Sequence, residues 1–441
     1  MRIWLSNRLN ALRASYWFLP GLLALGAILL SQATLELDQR WAGSELLTWA
    51  YPGSPEGARV LLSTIGGSMI GVAGVTFSVT VVALTMASSQ LGPRLLRSFL
   101  RDRPNQLVLG TFIATYLYCL LSLRAVSSAR DFVPAVSVTI AVAMALVSVG
   151  VLIFFIHHVT TSLQADHVVA SVAADLLASV ERFTASGKGV GETPSPAAAE
   201  ATKPRPEALP QVSSQRHGYV QAVDYAKLFR LACEGGIVIH ARRRAGGFTL
   251  DGGALAVIEE GLDESSEESI RACFLIGSLR TEEQDVCYAL NQLVEVALRA
   301  LSPGINDPFT AITCIDWLGA SLSKVLAAGV PHAAHADAEG RVRLTTDEPG
   351  FPELLSCAFD PIRQAARETP AVTTRLADAL TRLAPFAKSE PQREVLRRQV
   401  ELLGLEIRSS QRVAEDLLEL QRRLASLARE LEPTPQDPSG G

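Results

Sequence analysis

Residues 60–93, VLLSTIGGSMIGVAGVTFSVTVVALTMASSQLGP, carry no charged side chain between Arg59 and Arg94. An uncharged, apolar run of this length is read as a membrane-spanning helix. Its 34 residues at a 1.5 Å rise reach about 50 Å, more than the roughly 30 Å of bilayer hydrocarbon. The helix must therefore tilt, break near Gly66 and Gly67, or begin outside the bilayer. Gly67, Gly71, Gly74, Ser78, Thr85 and Ser89 recur at spacings of three, four and seven, which gathers small and hydroxyl side chains on one helical face. Such a face serves close helix packing of the small-xxx-small kind or the lining of a pore, and both readings stand.

Working outward toward the start, Arg2, Arg8 and Arg13 precede an apolar run from Tyr16 to Leu30. It reads as a retained anchor rather than a secretory signal cleaved after Ala33, since the chain goes on to span the membrane again. The stretch 36–59 reads as an acidic loop, with Glu36, Asp38, Glu45 and Glu56 against Arg40 and Arg59. On the other side of the central helix, GPRLLRSFLRDRPNQ is basic: Arg94, Arg97, Arg101 and Arg103 face Asp102 alone. Further apolar runs at 105–123 and 132–156 are joined by a turn holding Arg124, Arg130 and Asp131. The Arg distribution puts the N-terminus, the 94–103 loop and everything after Ile156 on the cytoplasmic side of a bacterial inner membrane. The fold class expected is a mainly α membrane protein with four transmembrane helices (residues 1–157), followed by a cytosolic α+β module. Within these four spans no Asp, Glu, Lys, Arg or His is expected, which disfavours proton relays, ion-coupled carriers and voltage sensors.

The composition agrees. Of 441 residues, 48% are hydrophobic, crowded into the first third, and the net charge of −5 argues against nucleic-acid binding. Six cysteines at 119, 233, 273, 287, 314 and 357 form no CxxC pair and read as reduced thiols. His157, His158 and His167, where the fourth helix leaves the bilayer, read as interfacial side chains rather than a metal site.

Residues 158–183 continue as an amphipathic helix, 184–214 read as a Pro/Ala/Gly/Ser-rich linker, and 215–280 read as a small β-rich domain. Arg242, Arg243 and Arg244 there suit an anionic headgroup or a solvated hairpin. Residues 281–431 read as helical and 432–441 as a disordered tail. In the stretch TEEQDVCYALNQLVEVALRALSPGINDPFTAITCIDWLGASL (281–322), Thr281 and Gln284 suggest a capping box, and Asp307 before Pro308 an N-cap and first helical residue. Arg299, Asn306 and Asp307 near that helix start form either a ligand contact or a tight αα-corner. Val413, Leu417, Leu420, Leu424, Leu427 and Leu431 alternate at four and three, a seam for packing within a bundle.

This stretch, together with GSMIGVAGVTFSVTVVALTMASSQLGPRLLRSFLRDRPNQLVLGTF (67–112), resembles the bacterial predicted membrane proteins grouped as domain-of-unknown-function family 2254. The resemblance runs from the first span to about residue 325 and implies an inner-membrane protein of this topology; it brings no activity, cofactor or catalytic residue. No Walker loop, GxSxG, HExxH or paired Cys/His pattern occurs, so no enzyme and no cofactor is expected. Two functional readings follow from the residues. One is a homo-oligomeric, channel-like passive transporter with a cytosolic regulatory domain; the other is a membrane-anchored sensor or scaffold. The partners expected are the lipid bilayer and further copies of the chain.

Overall fold

Four long apolar helices build the first unit: α1 (Phe18–Arg40), α2 (Pro55–Leu91), α3 (Arg103–Ala125) and α4 (Ala135–Ser162). The computed structural model describes residues 17–40, 51–91, 103–126, 132–162, 165–186, 190–192, 210–259, 264–409 and 414–432. About 70% is helical, and the chain divides into two units after Val168. Helix α2 runs unbroken through Gly66 and Gly67 for 37 residues, about 55 Å. Helix α1 extends to Arg40, so Glu36 and Asp38 belong to a helix and not to a loop. The start of the expected acidic loop is corrected, because Glu36 and Asp38 fall in the last turns of the helix, where Asp38 finds a buried partner; residues 41–50 lie outside the described residues.

Helix α3 is the centre of the unit, with Phe112, Thr115, Tyr118 and Cys119 fully buried against its neighbours. At Gly110 a Cβ would stand 3.0 Å from the Cα of Pro20 and 2.7 Å from a Leu23 methyl carbon, so the missing side chain lets α1 approach α3 closely. Helix α2 turns Ala58, Leu62, Gly66, Ala73 and Thr76 inward, at spacings that mark one stripe of a 3.6-residue helix.

Helix α5 (Ala165–Ala185) carries the chain across the division, and the second unit is α+β. Its strands are β1 (Gln211–Ser213), β2 (Gly218–Val223), β3 (Val238–Ala241), β4 (Phe248–Thr249), β5 (Ala254–Glu259), β6 (Phe274–Gly277), β7 (Ala334–Ala336) and β8 (Val342–Thr345). Two sheets result, β1-β5-β3-β8-β7 and β4-β2-β6, antiparallel except for β3 beside β8. Helix α6 (Tyr225–Gly235) is capped by Asp224, and α7 (Glu264–Arg271) precedes β6. Leu228, Ile239, Leu255, Ile258, Ile270 and Leu344 close the core beneath. Part of the expected linker is tied down, since Glu192 exchanges backbone hydrogen bonds of 3.0 and 2.9 Å with Ala336.

The helical part comprises α8 (Val286–Ala300), α9 (Pro308–Ala328), α10 (Phe351–Ala365), α11 (Pro370–Leu383), α12 (Glu390–Ser409) and α13 (Ala414–Glu430). Leu420, Leu424, Leu427 and Leu431 are buried; Val413 and the Leu417 side chain lie outside the described residues, as does the tail from 433. The capping-box reading of Thr281 is corrected: α8 starts at Val286 and Asp285 caps it, accepting from the Tyr288 amide at 2.9 Å. Thr281 and Gln284 bond the β2 backbone instead, at Gln221 and Val223. A Ser/Thr-x-x-Gln pattern cannot distinguish a cap from a side chain reaching across to a strand.

Among the described residues, five helices are long and apolar enough to cross a membrane: Phe18–Arg40, Pro55–Met86, Arg103–Ala125, Ala135–Thr161 and Pro308–Ala328. The expected count of four is thus not matched. The fifth is α9, whose Ala311, Cys314, Ile315, Leu318, Leu322 and Val325 are buried within the second unit. An amphipathic helix buried along most of its girth acquires membrane-like composition.

Candidate functional sites in the two units

The small face of α2 lies opposite its packing stripe. Gly67, Gly71, Gly74, Ser78 and Thr85 are exposed, and a Cβ built on any of the three glycines meets nothing within 4 Å. The hydroxyls turn back on their own helix: Ser68 donates to the Thr64 carbonyl (2.7 Å), Ser78 to Gly74 (2.9 Å) and Thr85 to Val82 (2.7 Å). Each is thereby satisfied as a donor in an apolar medium while its lone pairs stay free. Beside this face, Gly67, Gly71, Val75 and Val79 of α2 and Leu152, Ile156 and Val159 of α4 line an apolar groove of about 620 Å³. The Ser89 side chain and Arg94, Arg97 and Arg101 lie outside the described residues; Arg103 is the first residue of α3.

A polar site that the sequence reading missed sits inside the same unit. The Asp38 carboxylate, only 3% exposed, accepts from the amides of Val136 (2.7 Å) and Ser137 (3.0 Å) and from the Ser137 hydroxyl (2.6 Å). It caps the first turn of α4 from another helix, where the dipole favours an anion. Ser137 Oγ lies 3.1 Å from Thr34 Oγ1, which in turn lies 2.9 Å from the Tyr118 hydroxyl. The available signal was Asp38 in register with Thr34 and Ser31, one turn apart on α1.

In the second unit a polar junction joins the sheets to the helices. Arg244, after β3, donates to the Asp347 carbonyl (3.1 Å) and forms an ion pair with Glu353 at the start of α10. The Tyr225 hydroxyl is buried beside Glu348 without a well-formed hydrogen bond. Burial raises the Glu348 carboxyl above its usual range and, with Glu348 adding to it, lifts Tyr225 well above that of a phenol. Asp285 accepts from Arg280 at 2.9 and 2.6 Å as well as capping α8. Gly246 (φ +87°) passes so close that a Cβ would meet that carboxylate at 2.0 Å. The arginine cluster therefore splits, with Arg244 engaged here and Arg242 exposed.

The loop 302–307 is an αα-corner. Asn306 adopts φ 50°, its amide and that of Asp307 bond back to Ser302 (2.9 Å) and Ala300 (2.7 Å), and Asp307 caps α9 through Phe309 and Thr310 (both 3.1 Å). The Arg299 side chain pairs with Glu295 at 3.8 Å, and its carbonyl accepts from the Ser302 amide (3.0 Å) and hydroxyl (2.6 Å) at the start of the loop. Among the described residues no cluster of His, Cys, Asp and Glu could hold a metal ion; His158 stacks on Phe154 instead, ring centroids 5.6 Å apart.

The family described as "Predicted membrane protein (DUF2254)" matches residues 13–382. Uncharacterized protein Rv1290c of Mycobacterium tuberculosis and Uncharacterized protein Mb1321c of Mycobacterium bovis are each 32% identical over 438 residues, covering 96% of this chain and 81% of the relative. No solved structure matches.

Proposed function

The chain belongs to the family described as "Predicted membrane protein (DUF2254)", and from that premise we propose that it works as a homo-oligomer in the bacterial inner membrane, with α2 of neighbouring copies lining a passive path. Four helices, α1 to α4, cross the bilayer in this reading, and both termini are cytoplasmic. Helix α9 stays with the second unit, because Asp316 pairs with Arg382 (3.0 Å) and Arg375 (3.4 Å), and Lys324 with Glu181 (2.6 Å). Those partners would be lost in hydrocarbon.

The observation that carries the proposal is the outward placement of Gly67, Gly71, Gly74, Ser78 and Thr85, away from the protomer's own packing stripe. In single-helix contact with lipid this face gains little, whereas between copies it permits backbones to approach and leaves hydroxyl lone pairs toward the axis. Arg94, Arg97, Arg101 and Arg103 then lie at the cytoplasmic mouth and favour anions, an effect that salt weakens. The second unit, with its Arg244 junction and the 299–307 corner, acts as the regulatory module.

Purified protein in liposomes should show ion flux, and Ser78→Leu should reduce it while the cross-linked oligomer persists. A well-formed oligomer without flux for any ion tested would transfer the function to a membrane-anchored sensor or scaffold. That second reading draws support from the hydroxyls of α2 being closed onto their own helix.

A further inference from the structure

Cys287 stands in the first turn of α8 and Cys357 in the middle of α10, 70 positions later in the chain. The Cys357 sulfur lies over one turn of α8: 3.8 Å from the Cys287 carbonyl oxygen and 3.3 Å from Asn291 Oδ1. Both side chains are half-buried. Cys119, Cys273 and Cys314 are buried and Cys233 is exposed. Cys287 and Cys357 are both free cysteines.

We propose that Cys287 and Cys357 are a reversible disulfide-forming pair that reacts with small hydroperoxides, Cys357 being the attacking sulfur and Cys287 the resolving one. In the first step the Cys357 thiolate attacks one peroxide oxygen, the O–O bond breaks, and hydroxide (or alkoxide) leaves, giving a sulfenic acid. In the second the Cys287 sulfur attacks that sulfenic sulfur, an S–S bond forms, and water departs with the Cys287 proton. The peroxide takes the two electrons that the two thiols lose, so no other oxidant is needed; an external dithiol returns the pair to its reduced form.

The assignment of roles follows from the surroundings. Hydrogen bonding from Cys287 holds Cys357 below the ordinary thiol range, while giving up that proton is made harder for Cys287. Asn291 stands beside the same sulfur, its Oδ1 accepting from the Cys357 thiol at 3.3 Å. The exposed Cys233, by contrast, has its thiol pushed up, by partial burial first and then by Asp337, which makes it the less nucleophilic thiol. Oxidation would tie the first turn of α8 to α10 beside the Arg244–Glu353 pair, in the junction between sheet and helices. The proposal is independent of whether the membrane unit conducts.

The test treats the full-length protein in detergent with hydrogen peroxide, quenches with N-ethylmaleimide and maps the peptides by mass spectrometry. A Cys287–Cys357 linked peptide that dithiothreitol removes, with loss of the maleimide label from these positions before Cys233 reacts, is the expected result. In Cys287→Ser, Cys357 should halt as a sulfenic acid that dimedone traps; in Cys357→Ser, Cys287 should remain alkylatable. Full labelling of both residues in peroxide-treated wild-type protein, or oxidation of Cys233 ahead of them, overturns the proposal whether or not the variants fold.

Discussion

At the residue scale, Asp38 shows how a charge survives in a membrane unit. Its two oxygens receive three donors from α4, so the desolvated carboxylate is hydrogen-bonded rather than orphaned. Asp38→Ala should destabilise the unit by about 2–4 kcal/mol and Asp38→Asn by less, since the amide keeps one acceptor; equal melting of all three proteins in detergent would show that the cap contributes nothing. His240 makes a second residue-scale prediction. It is buried on β3, with Nδ1 2.7 Å from Thr345 Oγ1 and Nε2 3.2 Å from Glu259. Burial lowers its proton affinity, Glu259 opposes that shift and Arg242 adds to it. The unfolded chain then binds the proton more readily than the fold, so stability declines as pH falls below the ordinary histidine value of about 6.5 and is fully lowered below the depressed folded value. His240→Gln should flatten this dependence, measured as denaturant midpoints near pH 7.5 and about 5.5. Unchanged slope would assign the acid response to another group. Neither partner set was legible in the sequence, because both depend on pairs more than 15 positions apart that only the fold brings together.

At the scale of elements, glycine is the instructive case. The small-residue face of α2 was readable from spacing alone, but spacing could not say which neighbour it meets. Among the described residues nothing lies within 4 Å of a Cβ on Gly67, Gly71 or Gly74, and the close approach is made at Gly110, a glycine with no repeat around it. The two kinds of site separate by experiment. Gly110→Leu must displace Leu23 and the Pro20 backbone, and should lower the thermal stability of the unit by several kcal/mol, as overpacking does. Gly71→Leu meets open space and should leave that stability almost unchanged while it disturbs assembly, seen by cross-linking and detergent gel filtration. An exposed change on α4, Val147→Leu, serves as the lipid-facing control. If Gly71→Leu and Val147→Leu assemble alike, the α2 face does not pack copies together. The caps repeat the lesson on soluble ground: Asp307 before Pro308 was legible because proline fixes the first helical residue, whereas Asp285 was hidden behind a more familiar-looking Thr281 and Gln284.

At the scale of the whole molecule, the number of spans decides on which side the second unit lies. Apolar length alone gives five candidates among the described residues, and an odd count would send the two ends of the chain to opposite sides. What length cannot register is where a helix finds partners for its charges. Asp316 and Lys324 of α9 hold Arg375, Arg382 and Glu181, and the buried face of α9 is made by helices of the same unit. Arg-rich segments fall at the N-terminus and at 94–103, with the acidic Glu45 and Glu56 between them, an alternation that bears on the first two helices and leaves the parity of the whole count to α9. Parity turns this into a measurement. With four spans, a reporter fused at Gly441 is active in the cytoplasm, one inserted near Tyr51 is active outside, and an introduced Ser54→Cys reacts with an impermeant maleimide in intact cells. With α9 as a fifth span, the Tyr51 and Ser54 results stand while the Gly441 reporter becomes active outside. The C-terminal reporter alone therefore distinguishes a helix that is apolar because it crosses a bilayer from one that is apolar because it is buried in a folded domain.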